Sequence, residues 1–220
     1  ARRDYGEQQL KILHLDIETT PIKAYVWGLW DQNVSIDQII EPTEMLCFGA
    51  RWSHSKKVIF KSVHHDGKQA MLDELHKLMD EADVLVGWNS AAFDHKHINR
   101  EFLENGMQPP SPVKDLDLMS VTKANFQFPS NKLDYVAQRL GVGAKVKHSG
   151  FSLWIRCMEG DEKAWREMNW TPRDIFEYKT KWIPQAQVIN TFDYNNGASW
   201  CKQHLFMQDW HVDKYAKPDD

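Results

Sequence analysis

Residues 10–17 form an apolar run that continues into Glu18, and within it Asp16 and Glu18 stand two positions apart. Alternate side chains of a strand project to the same face, so both carboxylates point one way, about 6–7 Å apart along the chain. Like charges on one face repel, and lose solvation, unless a cation holds them. Oxygen ligands of this kind favour Mg²⁺ or Mn²⁺. The same pair also suits an exposed edge strand with a solvated acidic face, and only the rest of the chain decides between the two.

Residues 45–53 and Lys57–Val63 read as strands joined by the Ser53–Ser55 turn, giving three antiparallel strands with the first. Met71, Leu75, Leu78 and Met79 recur at helical spacing, which predicts a helix over 69–79 packed on that sheet. Asp83–Trp88 has an all-apolar centre and reads as a strand covered on both faces. A helix over 93–105, stopped by Gly106 and Pro109-Pro110, follows. Residues 113–118 form a fifth strand running into a helix, and residues 131–140, 151–158 and 161–169 are further helices. The fold class is therefore α/β or α+β: three antiparallel strands, then parallel ones, flanked by helices. Residues 1–9 are an extension, 10–190 the main domain, and 191–220 an irregular tail.

Asp94 is the next candidate. It opens a helix just past the carboxyl end of the 83–88 strand, where open α/β sheets bind ligands, although an acid in a helix's first turn is also favoured by the helix dipole alone. His14-Leu-Asp16-Ile-Glu18-Thr19-Thr20 followed by Val86-Gly-Trp-Asn89-Ser-Ala-Ala-Phe-Asp94 resembles the first two motifs of the DEDD (DnaQ-like) 3′→5′ exonucleases, which have a ribonuclease H-like fold. Phe128-Pro-Ser-Asn-Lys132-Leu-Asp-Tyr-Val-Ala-Gln-Arg139-Leu-Gly141, then Lys145-Val-Lys147-His-Ser-Gly-Phe151 and Trp165-Arg-Glu-Met168, resembles the phage and bacterial branch of that group. The likeness covers about residues 10–174.

The resemblance implies two-metal hydrolysis of phosphodiester bonds, with Mg²⁺ or Mn²⁺ held by Asp16, Glu18, Asp94 and a fourth acid. It further implies a nucleic-acid substrate, single-stranded DNA with a free 3′ end or RNA, and a possible replication or repair protein as partner. Thr19 and Asn89 would line the terminal nucleotide site. Read from the residues alone, Lys132, Arg139, Lys145 and Lys147 form a local basic concentration that would hold the substrate backbone. The lysines also suit a solvated helix face. Asp115 and Asp117 would support the site from behind its ligands.

The chain departs from this pattern at its third motif. A tyrosine four residues before the last aspartate is replaced by tryptophan in Trp170-Thr-Pro-Arg-Asp174. Indole has a donor N–H and nothing that accepts a proton from water. Thr171-Pro172-Arg173-Asp174 is also a helix start, with threonine as N-cap and proline at the first helical position. Asp174 is thus a metal ligand, a cap, or both. A binding module that keeps the fold and part of the acid set is the corresponding alternative to an enzyme.

Composition narrows the setting. A net charge of −4 gives no general attraction for nucleic acid, so such a partner must be met by a local basic patch. Cys47, Cys157 and Cys201 form no Cys-x-x-Cys pair, which argues against a zinc ribbon or a disulfide framework and fits a reducing cytoplasm. No run approaches the ~18 apolar residues of a membrane span, and an intracellular protein is expected. His95, His97 and His148 read as ordinary polar residues, and Trp27 and Trp30 as packing or base-stacking groups.

Overall fold

The structure is a computed structural model that describes residues 10–142 and 148–169. Its strands are β1 (Ile12–Thr19), β2 (Lys23–Ala24), β3 (Ile39–Glu41), β4 (Met45–Trp52), β5 (Ile59–Ser62), β6 (Val84–Gly87) and β7 (Lys114–Asp117). Its helices are α1 (Lys68–Glu81), α2 (Asp94–Glu104), α3 (Leu118–Asn125), α4 (Leu133–Arg139), α5 (Phe151–Met158) and α6, described over 162–169.

Five strands form one mixed sheet in the order β5-β4-β1-β6-β7, with β1 at its centre. β4 runs antiparallel to both β1 and β5, while β6 and β7 run parallel to β1. The expected architecture of three antiparallel strands followed by parallel ones is the one observed. Both faces of β1 are covered, and its alternation sorts the core. Leu13, Leu15 and Ile17 pack with Phe48, Ala50 and Leu85 against α1 and α2 on one face. Ile12 packs with Val84, Val86 and Leu116 against α3 and α4 on the other. A third cluster joins Leu46 and Cys47 to Leu153 and Cys157 of α5 and to Trp165 and Met168 of α6.

The α1 contribution follows from its spacing. Met71, Leu72, Leu75, Leu78 and Met79 all lie on the buried stripe, and each such side chain contributes about 1.5–3 kcal/mol relative to exposure. One buried position is charged. Glu101 of α2 has no solvent exposure, accepts the Met45 N–H at 2.8 Å, and is flanked by Lys68 and Arg100, each 3.1 Å away. It ties α2 to the start of β4, and its two cations offset the cost of burying the carboxylate.

The small antiparallel pair β2–β3 lies within residues 21–44, a stretch whose residue pattern predicts no element. Both strands are too short and too exposed to show an alternating pattern. Between and beside them Tyr25, Trp27, Leu29, Trp30 and Ile36 project into solvent, Trp27 almost completely. Among the described residues no helix is long and apolar enough to cross a membrane.

Candidate nuclease site

The carboxyl ends of β1, β6 and β7 carry the site. Asp16 and Glu18 lie on the β1 face shared by Cys47, the register partner of Glu18 on β4. The Cys47 thiol reports that placement. Burial raises its pKa well above the ordinary value, and the negative charges of Glu18 and Asp16 act in the same direction.

β1 and β6 are paired as far as His14–Val86 and then part. Beyond that point the Ile17 N–H donates to Asp94 Oδ1 at 3.1 Å in a buried contact. Asp94 is only 4% exposed, yet it comes from a helix 77 residues further along the chain. Its carboxyl group is thus pinned to the backbone between the two residues that the strand alternation sets on one face. Asp16 and Glu18 themselves are half-buried.

A compact turn delivers Asp94. β6 ends at Gly87, where a Cβ would lie 2.3 Å from the Ser90 Cβ, so no larger residue fits without moving the turn. Asn89 adopts φ +63°, a left-handed conformation that asparagine tolerates better than most residues. Its carbonyl accepts the N–H groups of Ala92 and Phe93, both at 3.1 Å. Its own N–H donates to Asp117 Oδ1 at 2.8 Å. That aspartate also caps α3, accepting from the Met119 N–H at 2.9 Å and the Ser120 hydroxyl at 3.1 Å. Asp115 accepts from Ser90 Oγ at 3.3 Å and lies 3.4 Å from His95 Nδ1. Burial raises the Asp115 carboxyl pKa, against the lowering from His95 and Ser90. The two β7 acids therefore brace the β6–α2 turn from the neighbouring strand.

A cleft of about 570 Å³ opens beside this turn, lined by Trp88, Asn89, Met119, Lys123, Asn131, Lys132, Leu133 and Asp134. Asn89 and Lys132, expected at the substrate, share it. Lys123 was missed, since one lysine near the end of a short helix carries no sequence signal, and the pairing with Lys132 exists only once α3 and α4 adjoin. Thr19 lies past a register shift at the end of β1, and its successor Thr20 is held to Glu44 through N–H to carbonyl at 2.8 Å. His97 is tilted against Phe93, and the His148 ring edges Trp154. Lys145, Lys147, Trp170, Asp174, the helix read from Thr171 and the 191–220 tail lie outside the described residues, as do residues 1–9.

Oxygen-only donors, one of them oriented by a backbone amide, suit hard divalent cations. Asp16, Glu18 and Asp94 fit that class, and the Cys47 thiol on the same face is one that burial keeps protonated.

The model of the RNase_H superfamily matches residues 13–154, which includes the three carboxylates, both strand–turn motifs and the cleft. The chain belongs to the RNase_H superfamily. Its mixed five-stranded sheet is the ribonuclease H-like fold, and membership supports a nuclease, of a group that generally uses divalent metal ions and acts on nucleic acid. Among solved structures, the family B DNA polymerase from the hyperthermophilic archaeon Pyrobaculum calidifontis is similar at TM-score 0.58 and 14% identity. The match covers 94% of this chain and 29% of the polymerase chain, so this RNase_H member spans less than a third of that protein. No curated protein matches the chain by sequence.

Proposed function

We propose that this RNase_H superfamily member is a metal-dependent 3′→5′ exonuclease of the DEDD type that acts on single-stranded DNA ends. The observation that carries the reading is the Ile17 N–H bond to Asp94, which seats a buried third carboxylate at the β1 segment bearing Asp16 and Glu18. Asp174 is proposed as the fourth ligand, on its motif spacing alone. Bound to these acids, two Mg²⁺ or Mn²⁺ ions would activate a water and stabilise the leaving 3′-oxygen, a task Trp170 cannot take over as proton acceptor.

The chain's own groups do the positioning. Thr19 and Asn89 flank the end of β1 and the mouth of the cleft, where the terminal nucleotide would sit with Trp88 beside its base or sugar. Lys123 and Lys132 supply the positive charge that the chain as a whole lacks, and Lys145 and Lys147 are proposed to extend it along the strand. In the reaction the water oxygen forms a bond to phosphorus as the bond to the 3′-oxygen breaks. The products are a nucleoside 5′-monophosphate and a shortened strand with a 3′-hydroxyl.

Single-stranded DNA and RNA oligonucleotides of one sequence, 5′-labelled and with free or blocked 3′ ends, test this. The expected result is a ladder shortened from the 3′ end, with DNA favoured, no ladder from blocked ends, and about 10³-fold loss in Asp16→Asn, equivalent to roughly 4 kcal/mol. Preference for RNA would make the protein an exoribonuclease of the same fold. Tight DNA binding with no nucleotide released in either metal would sink the enzyme reading and leave the impaired binding module that Trp170 also suits.

A further inference from the structure

A second, chemically different cluster lies at the far edge of the same sheet. We infer that His64, His65 and Glu162 form a binding site for a zinc-class divalent ion, independent of the carboxylate site and of the nuclease reading. The turn after β5 supplies both imidazoles and the first residue of α6 the carboxylate, so groups 98 positions apart in sequence meet. His64 Nε2 lies 2.9 Å from Glu162 Oε1, and His65 Nε2 lies 3.5 Å from Glu162 Oε2. One ligating atom from each of the three residues falls within 4.8 Å of the others. Zn²⁺ bonds its nitrogen and oxygen ligands at about 2.0–2.2 Å, so neighbouring donors of a tetrahedral site stand roughly 3.3 Å apart. The two observed separations, to different oxygens of the Glu162 carboxylate, lie on either side of that edge, and a small turn of the carboxylate would bring one oxygen to both imidazoles.

The imidazoles are held in the orientation a metal needs. Ser62 is fully buried, its Oγ is 2.9 Å from His65 Nδ1, and the same oxygen accepts the His65 backbone N–H at 3.1 Å. Ser62 thereby fixes the ring with Nε2 facing Glu162, and in the tautomer that donates Nδ1–H to Ser62 Oγ the Nε2 lone pair is the one a metal would take. The His64 ring stacks on buried Trp165, centroids 5.3 Å apart and planes 9° from parallel. Asp161 fixes the start of α6 by accepting the N–H groups of Lys163 and Ala164, at 2.8 and 3.4 Å.

Two nitrogens and a carboxylate select Zn²⁺, Co²⁺ or Ni²⁺ over Mg²⁺, which takes oxygen alone. Three protein ligands leave a fourth position for water. The register Glu18–Cys47–Ser62 across three strands puts Ser62 about 10 Å from Glu18, so the ion is not shared with the acids. It would clamp the β5–α1 turn to the helix that runs toward Trp170 and Asp174 in sequence.

Co²⁺ titrated into the full chain in saturating Mg²⁺ tests the site through its visible d–d bands. One equivalent with tetrahedral intensity is expected in the wild type and in Asp16→Asn. Glu162→Gln and His64→Gln should lose the bands, Zn²⁺ should displace them, and Ser62→Ala should weaken binding about tenfold. The Glu162 side chain is 61% exposed, so its variant folds whatever becomes of His64→Gln. Bands that persist in Glu162→Gln, that vanish in Asp16→Asn, or that never appear in the wild type overturn the inference.

Discussion

Asp94 has two separable duties, and a pair of substitutions divides them. Its Oδ1 accepts the Ile17 N–H in a buried contact, and its charge is the part that would hold a metal ion. Asp94→Asn keeps an acceptor of the same shape in place. It exchanges a charged hydrogen bond of about 1.5–3 kcal/mol for a neutral one of about 0.5–1.5, and relief of repulsion from Asp16 and Glu18 in the metal-free protein offsets the difference. Net stability should stay within about 1 kcal/mol of wild type. Asp94→Ala leaves the Ile17 N–H buried and unpaired at about 1–3 kcal/mol, and removes a first-turn acid of α2 at about 0.3–1 kcal/mol. A total near 2–3 kcal/mol corresponds to a fall in Tm of roughly 4–12 °C for a chain of this size. Thermal melts with and without Mn²⁺ are the assay. In the wild type, Mn²⁺ at 100 times its Kd should add about 2.7 kcal/mol, and both variants should lose most of that gain together with activity. The reasoning fails if Asn costs as much stability as Ala, or if Asn keeps the full metal-induced shift.

Three further outcomes follow from the same contacts. Asp117→Ala should cost about 2–4 kcal/mol in urea unfolding, since it removes the α3 cap and orphans the Asn89 N–H, whereas Asp117→Asn should recover much of the cap. Cys47, deeply buried beside Glu18, and Cys157, which burial pushes up to about 11, should both resist thiol reagents at pH 8 in the native protein and react on unfolding. Asp80 accepts the Ser111 N–H at 2.6 Å, which lowers its pKa. Its contribution is therefore present above the ordinary carboxyl pKa and fades as pH falls through the lower folded value, and Asp80→Asn should flatten that acid limb in pH-dependent melts.

What the sequence disclosed and what it withheld divide along physical lines. β4 and β6 were legible as apolar runs near the centre of the sheet, β1 because apolar residues recur around its His14, Asp16 and Glu18, and α1 because its apolar residues keep helical spacing. Asp16 and Glu18 could be paired from strand alternation alone. The Asp94 contact could not, since it depends on β6 parting from β1 after His14–Val86 and on the Gly87–Ser90 turn folding tightly. Asp117 read as a support near a strand end, but its clamp on Asn89 is a tertiary fact. Glu101 looks like any solvent-facing helix acid, and only its place between Ile98 and Phe102 on the buried stripe signals otherwise. Nothing local joins His64-His65 to Glu162.

The central claim is that Asp16, Glu18 and Asp94 converge on divalent ions. Anomalous diffraction from crystals soaked in Mn²⁺ tests it most directly. The account predicts Mn²⁺ density bonded to carboxylate oxygens of all three, with Asp94 still accepting the Ile17 N–H through its other oxygen. A soaked structure with no ion at these acids, or with Asp94 turned away from β1, would contradict it.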